Sequence, residues 1–528
     1  MFNNQIIAGA AGQGGSFYPY SIGQSLRFND NDSAVLHRTP SSASNRKTWS
    51  FSCWIKISDL NLVSINKSIF SAGSNVFNRR VDISISSSYQ LMFFMDGRAD
   101  GASYYSFIAD RLLRDTAGWM HIVAVMDTTN STADDRLKIY MNGERQSGAY
   151  QYGHGAPPLN SDWYVNSTYE HDIGDGHHNS VVQFFDGYIA EANFIDGTAL
   201  DPTSFGETIN GVWVPKAYSG SYGTNGFYLP FDDSSAIGDD ESGNTNDWTP
   251  SNLAASDVVP DSPTNNFATL IPMANTSLSE GNLKMTTSRT GNWDGTIGSF
   301  GVTSGKWYYE VRMSATEGNF RCVAGWQGNQ ASQTVTYNGK GASGSPYNTL
   351  FDNYLVNVFT TSFYKDGGVD GTMTAASSGD VINVAADFDN GKIYFGINGT
   401  YYANDGGTDG DPAGGTNESL SGIDLTASEY VPAFHIRSDS SAGGNVMIVN
   451  FGQEGTFAGT ETDGGYSDGN GYGSFFNPVP SGFLALNSAN LSEPTIGPNS
   501  GVNEQADDYF NTVLYTGTGA SNSVTGVG

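Results

Sequence analysis

The residues able to do acid–base work are few and scattered. Glu191 sits in the run YIAEANF (188–194), whose alternation reads as a strand, and it reads as a structural hydrogen-bond acceptor. A retaining glycosidase needs a second carboxylate about 5 Å from the first, on the same face. No such partner is spaced from Glu191. Asp134-Asp135 and Asp232-Asp233 stand at turns and read as solvated. His121 alternates with Trp119 and Val123, as a buried and satisfied histidine would. His171, His177 and His178 lie in the loop EHDIGDGHHNS, whose irregular spacing specifies no metal geometry. Asp172 and Asp175 are the candidates for a structural calcium ion, but no 12-residue acidic loop accompanies them. Phosphate-loop, nucleophile-elbow, zincin and dinucleotide motifs are missing from any strand–helix context, so no cofactor is expected.

What remains is chemistry of contact. Tyr and Trp faces pack on sugar C–H groups, while Asn and Asp meet hydroxyls. The stretch 150–170 offers Tyr150, Tyr152, Trp163, Tyr164 and Tyr169, and a later region offers Tyr337, Tyr347 and Tyr354. These eight are the candidate glycan-binding or receptor-binding residues. The N-terminal residues Ile6, Ile7, Phe17, Tyr18 and Tyr20 form a second group, apolar side chains in a Gly/Ala-rich arm that cannot bury them alone. They are the candidate attachment element, expected to order only on a partner.

The elements that must carry these residues are strands. The chain has 528 residues with 66 Gly, and aromatics reach 13% while charged residues are only 15%. That balance suits strands and turns and leaves little for helices. In 49–57, Trp49, Phe51, Cys53, Ile55 and Ile57 face one way and Ser50, Ser52 and Lys56 the other, with Trp54 breaking the polar face. Val81, Ile83 and Ile85 alternate with Asp82 and Ser84. Trp307, Tyr309 and Val311 alternate likewise. Strands of period 2 end at Asn142-Gly143 and at Asn398-Gly399, the strongest short hairpin signals. The expectation is an all-β protein with sheets apolar on one face. One helical turn is expected at 201–206.

With 54 acidic and 24 basic residues the net charge is −30, which repels phosphate backbones and anionic membranes. Nucleic acid is therefore not an expected partner. No apolar stretch reaches spanning length, and the first residues lack a secretory pattern, so neither membrane insertion nor a signal peptide is expected. The two cysteines, Cys53 and Cys322, read as buried thiols in different domains.

Two family resemblances emerge from particular phrases. WMHIVAVMDTT (119–129), RLKIYMNGE (136–144) and FFDGYIAEANFIDGTALDPTSFGE (184–207) resemble the laminin-G-like, concanavalin A-like module of phage fibre proteins. GKWYYEVRM (305–313), GDVINVAADFDNGKIYFGINGT (379–400) and VNFGQ (449–453) resemble a SPRY domain. The resemblances imply two tandem β-sandwich (jelly-roll) domains, at 25–235 and 265–487. An arm over 1–24, a polar linker over 236–264 and a linker with the start of a further unit over 488–528 complete the division. Each sandwich is long enough to fold alone. The connecting phrases SGNTNDWTP (242–250), DSPTNNFATL (261–270) and GFLALNSANLSEPTI (482–496) resemble an arrangement found in marine bacteriophage proteins.

That resemblance implies a non-enzymatic virion appendage, of tail-fibre or spike type, at the virion surface. Its partners would be other virion proteins and a host-surface glycan or receptor. A homotrimer would form through sandwich faces, the arm or sequence beyond Gly528. A capsid or tail decoration protein making protein–protein contacts is the alternative. A glycosidase is third, because glucanases of this fold carry a Glu-x-Asp-x-x-Glu run that this chain lacks.

Overall fold

The computed structural model describes residues 17–58, 66–74, 79–97, 104–151, 155–176, 183–273, 276–287, 291, 293–315, 321–328, 353–358, 360–425, 429–438 and 444–491. Among the described residues strand makes up 45% and helix 4%, so the all-β expectation holds. The helical residues are isolated single turns such as Pro202–Ser204, inside the turn expected at 201–206. Both Asn-Gly pairs turn with positive φ at each residue, 47° and 80° at Asn142-Gly143 and 50° and 83° at Asn398-Gly399. That geometry matches the right-handed twist of the flanking strands. Among the described residues no helix is long and apolar enough to cross a membrane.

The first sandwich is two antiparallel sheets. One runs Glu144–Arg145, Leu137–Met141, Met120–Asp127, Thr48–Ile57, Gly187–Asp196, Ser25–Phe28 and Val258–Val259. The other runs Gly148–Tyr150, Tyr104–Leu112, Gln90–Asp96, Arg80–Ile85, Lys67–Gly73, Glu170–Ile173, Val35–Arg38 and Thr249–Ser251. Trp49, Phe51, Cys53, Ile55 and Ile57 face Val81, Ile83, Ile85 and Phe93 across one core. The second sandwich packs Trp307, Tyr309 and Val311 against Cys322, Ala324, Trp326 and Phe434 in the same way. Both cysteines are buried free thiols, and burial pushes each thiol pKa up.

Residues 236–264 do not form a separate linker. Thr249–Ser251 pairs with Val35–Arg38 and closes the second sheet. Val258–Val259 pairs with Ser25–Phe28 and closes the first. Trp248 is buried in the first core, its ring 4.8 Å from that of Phe227. Composition suggested a linker because Pro, Asn and Asp dominate the stretch, yet its backbone bonds are made to strands more than 200 residues earlier.

The arm also differs from expectation. Phe17 is buried beside Val214, with Tyr18 edge-on at 4.9 Å. Tyr20 donates to Glu191 Oε1 at 2.7 Å. Ile22 is buried with Trp54, Trp119 and Tyr188. Residues 17–24 are thus a strap on the outer face of the first sheet, and these rings are ordered by their own domain without a partner. Burying Phe17 and Ile22 stabilises the strap by roughly 1.5–3 kcal/mol each. Ile6 and Ile7 lie outside the described residues.

Under the strap, the outer face of Thr48–Ile57 is covered as fully as the inner one. Trp54, the apparent fault in the alternation, stacks on His121 at 4.8 Å. Lys56 is 0% exposed and bonds to Asp261 at 2.8 Å. Beside it, Arg27 is 1% exposed and faces Asp257 at 3.0 Å, Glu280 at 3.4 Å and Glu454 at 3.8 Å. Burial opposes the Arg27 charge, but Glu454, Asp257 and Glu280 together hold its pKa above the ordinary value. Glu280 and Glu454 belong to the second sandwich, so these bonds cross between domains. Tyr188 Oη donates to the Gly281 carbonyl at 2.7 Å, and Asn282 Nδ2 donates to the Ser58 carbonyl at 2.6 Å, across the same seam.

Two outcomes are expected. Removing one partner of a buried ionic group leaves the rest uncompensated, at a cost of about 3–5 kcal/mol. Arg27→Met should therefore lower the melting of both sandwiches together, in one calorimetric transition; two transitions with only the first displaced would refute the coupling. A 25–235 fragment, which lacks Trp248 and both closing strands, should melt far below a 17–264 fragment by circular dichroism.

Candidate functional site

Of the eight aromatic candidates, the described residues bring two together at the surface. Tyr164 and Tyr169 meet edge to face at 5.6 Å. Arg79 donates to Tyr169 Oη at 3.0 Å, and the Arg46 guanidinium lies 5.9 Å from the Tyr164 ring centre. Tyr164 Oη donates to the Gly97 carbonyl. Both rings are half-buried, so one face of the pair is supported and part of it stays open to solvent. Arg46 and Arg79 were not singled out from the sequence. Their signal was scarcity, since a chain with only 24 basic residues sets two arginines beside one tyrosine pair.

The other candidates divide. Trp163 is 1% exposed in the first core, its indole N–H donating to Ser161 Oγ at 3.0 Å. Tyr354 is 1% exposed and accepts from the Asp424 backbone N–H at 3.1 Å. Both are corrections, because rings buried this far cannot meet a ligand. Loop-like composition concealed that their polar ends already had partners. Tyr150 is half-buried against Phe107 at 5.5 Å, and burial pushes its pKa up to about 12. Tyr152, Tyr337 and Tyr347 lie outside the described residues, as do His177 and His178.

The titratable groups are held by structure. His121 is buried, with Nδ1 accepting from the Trp213 N–H at 3.1 Å and Nε2 facing Ser52 Oγ at 2.8 Å. The proton therefore sits on Nε2, and burial lowers the pKa to about 3. His171 accepts from the Asn166 backbone N–H at Nε2, which leaves Nδ1 to donate to the Tyr169 carbonyl at 2.9 Å.

Glu191 occupies a bulge where Gly187–Asp196 slips register against Thr48–Ile57. There the strand changes its other neighbour from Ser25–Phe28 to Phe227–Leu229. Its φ of 56° is left-handed, which costs a non-glycine residue roughly 1–2 kcal/mol. The carboxylate accepts from Tyr20 at 2.7 Å and from Tyr228 at 3.0 Å. Burial raises its pKa to about 7, against the pull of the two phenols.

A further acidic group lies on the face of the second sheet turned from the core. Asp172 is in register with Ser71, and Ser71 with Asp82. Burial, then Glu170 and Asp175, push Asp172 up to about 8. Burial also raises Asp175 to about 6, despite the backbone N–H groups of Gly176 and Gln183. Ser68 donates to buried Asp82 at 2.6 Å. Among the described residues no three His, Cys, Asp or Glu side chains could hold a metal ion.

Glu191, Asp172 and Asp175 bind protons more tightly in the folded protein than in the unfolded chain. A raised carboxyl pKa makes the folded state lose stability as pH rises, here from about 5 to about 8. Thermal melts stepped through that window should show a falling midpoint, and Asp172→Asn should flatten the fall. A midpoint that climbs with pH would contradict the assignment.

Residues 29–203 match the concanavalin A-like lectin/glucanases superfamily, and residues 306–408 match the SPRY domain. A search of curated proteins returned no match. Among solved structures, the SPRY domain of human HERC1 is 20% identical, covering 33% of this chain and 92% of that one, with a TM-score of 0.24. The Ruminococcus gnavus IT-sialidase CBM40 bound to alpha2,3 sialyllactose is 14% identical over 32% of this chain and 89% of that one, TM-score 0.23. The native heptameric SAP-like pentraxin of Limulus polyphemus is 15% identical over 34% of this chain and 79% of that one, TM-score 0.25. The chain therefore carries a domain of the concanavalin A-like lectin/glucanase superfamily followed by a SPRY domain.

Proposed function

We propose that this chain is a non-enzymatic adhesion protein of a bacteriophage particle, a tail-fibre or spike-type appendage that binds a host-surface glycan. The observation that carries the binding role is the Tyr164–Tyr169 pair flanked by Arg46 and Arg79. Aromatic faces suit sugar C–H groups, and guanidinium groups suit acidic or hydroxyl-rich ones. The phage setting rests on the resemblance of the connecting phrases to marine bacteriophage proteins. Two sandwiches joined by buried interdomain bonds fit it too, since an appendage must hold its binding loops away from the particle. The non-enzymatic reading rests on Glu191, whose two oxygens are both engaged by tyrosines, and on the missing Glu-x-Asp-x-x-Glu run.

Attachment to other virion proteins is assigned to the segment before Phe17, with Ile6 and Ile7, because Phe17, Tyr18 and Tyr20 pack on their own domain. Deleting residues 1–16 should release the protein from particles while leaving its melting unchanged. Deleting 1–24 should lower the melting as well. Normal copy number after the shorter deletion would place the anchor elsewhere.

Binding is tested on a glycan array and on host cells. Tyr169→Ala should weaken binding about tenfold, equivalent to about 1.4 kcal/mol. Gold labelling of intact particles separates tail from capsid: label on the tail tip fits an adhesin, whereas label spread over the capsid favours a decoration protein. Released sugar fragments would overturn the non-enzymatic reading.

A further inference from the structure

The seam between the sandwiches contains a set of groups arranged for a covalent reaction. Lys56 Nζ lies 2.8 Å from Asp261 Oδ2, 2.8 Å from Asn266 Oδ1 and 2.9 Å from the Phe267 carbonyl. Lys56 and Asp261 are both 0% exposed. Asn266 is fixed at both ends, its Nδ2 donating to the Ala117 carbonyl at 2.8 Å and its backbone N–H donating to Ser488 Oγ at 2.9 Å. Asp261 is held by the Trp119 indole N–H at 2.9 Å and the Phe267 N–H at 3.3 Å. The Tyr188 ring closes the site, 5.6 Å from Nζ. A fully buried amine and carboxylate thus meet a half-buried primary amide, each group held by at least two bonds. Reacting groups fixed at van der Waals contact gain effective molarities on the order of 10⁵ M or more.

We propose that Lys56 and Asn266 join in an intramolecular isopeptide bond, with Asp261 carrying the proton. Asp261 takes a proton from the Lys56 ammonium, and rotation about Cε–Nζ turns the freed lone pair toward Cγ of Asn266. The Nζ–Cγ bond forms, the Cγ–Nδ2 bond breaks, and the amide nitrogen leaves as ammonia. The protons shed by Nζ pass through Asp261 to the departing nitrogen. The lysine's charge departs as ammonium, and Asp261 ends as the carboxylate it was. No oxidant, cofactor or second protein is required. Burial favours the neutral amine, against the opposing charge of Asp261, and a desolvated lysine is a competent nucleophile. Asn266 is the acceptor because a neutral amide carbonyl is open to attack, whereas a carboxylate repels it.

The test is the intact mass of the full chain under denaturing conditions, followed by peptide mapping. The wild type should be lighter than its sequence by one ammonia, with the Lys56 peptide joined to the Asn266 peptide. Lys56→Arg keeps the cation but lacks the nucleophile, and it should show the full sequence mass. Asp261→Asn should do the same. A wild-type mass equal to the sequence overturns the proposal, whether or not either variant folds. So does loss of water linking Lys56 to Asp261, or an ammonia loss that persists in Lys56→Arg and maps to a succinimide at Asn142-Gly143.

Discussion

Two cations on the outer face of one sheet govern how this protein is assembled. Lys56 and Arg27 both point away from the first core, where lysine and arginine ordinarily meet water. Here water is replaced by Asp261, Asp257, Glu280 and Glu454, supplied by the chain that follows and by the second sandwich. Desolvating such groups is costly unless every partner is in place. The second sandwich is docked where its Glu280 and Glu454 meet Arg27. The segment between the domains must run along the first sheet to deliver Asp257 and Asp261. The strap, the closing strands and the interdomain hydrogen bonds all follow from that arrangement.

Much of the fold was legible because burial writes itself into period-2 patterns. The alternation over 49–57 predicted which side chains enter the first core, and 307–311 did so for the second. The two Asn-Gly turns and the single turn near Pro202 were readable because their chemistry is local. What composition could not reveal is what covers a polar face. Ser50, Ser52 and Lys56 look like a solvated stripe, yet they are buried by partners drawn from distant parts of the chain. Trp54 was the one residue that broke the stripe, and it marks where the strap and Trp119 pack. Asp261 sits among Pro, Asn and Ser, which suggested a linker because residue type records nothing of long-range pairing.

The surface candidates show the same limit. Trp163 and Tyr354 occupy stretches that read as loops, but each has an internal partner for its polar atom and a ring neighbour for its face. Tyr164 and Tyr169 differ only in that their packing leaves part of each ring open. Nothing in their immediate sequence distinguishes them from the buried pair. The carboxyls behave alike: Glu191 and Asp82 were readable as strand residues and Asp172 only as a loop residue, while their proton affinities depend on burial that the sequence alone does not report.

The points where the chain enters and leaves the two sandwiches lie side by side. Ile22 exchanges bonds with Thr264 Oγ1 at 3.1 and 2.8 Å as the first domain begins and ends. The second domain opens at Asn266 and closes at Ser488, which are bonded to each other through backbone and side chain. Tension applied between the strap and the residues after Leu491 would therefore cross from Ile22 to Thr264, and from Asn266 to Ser488. It would pass through a few hydrogen bonds and the seam while both cores hang to the side, unloaded. The molecule is in mechanical terms a short link with two lobes, and its breaking force is set at the Lys56–Asp261–Asn266 junction and the clasp beside it, whatever the strength of either sandwich.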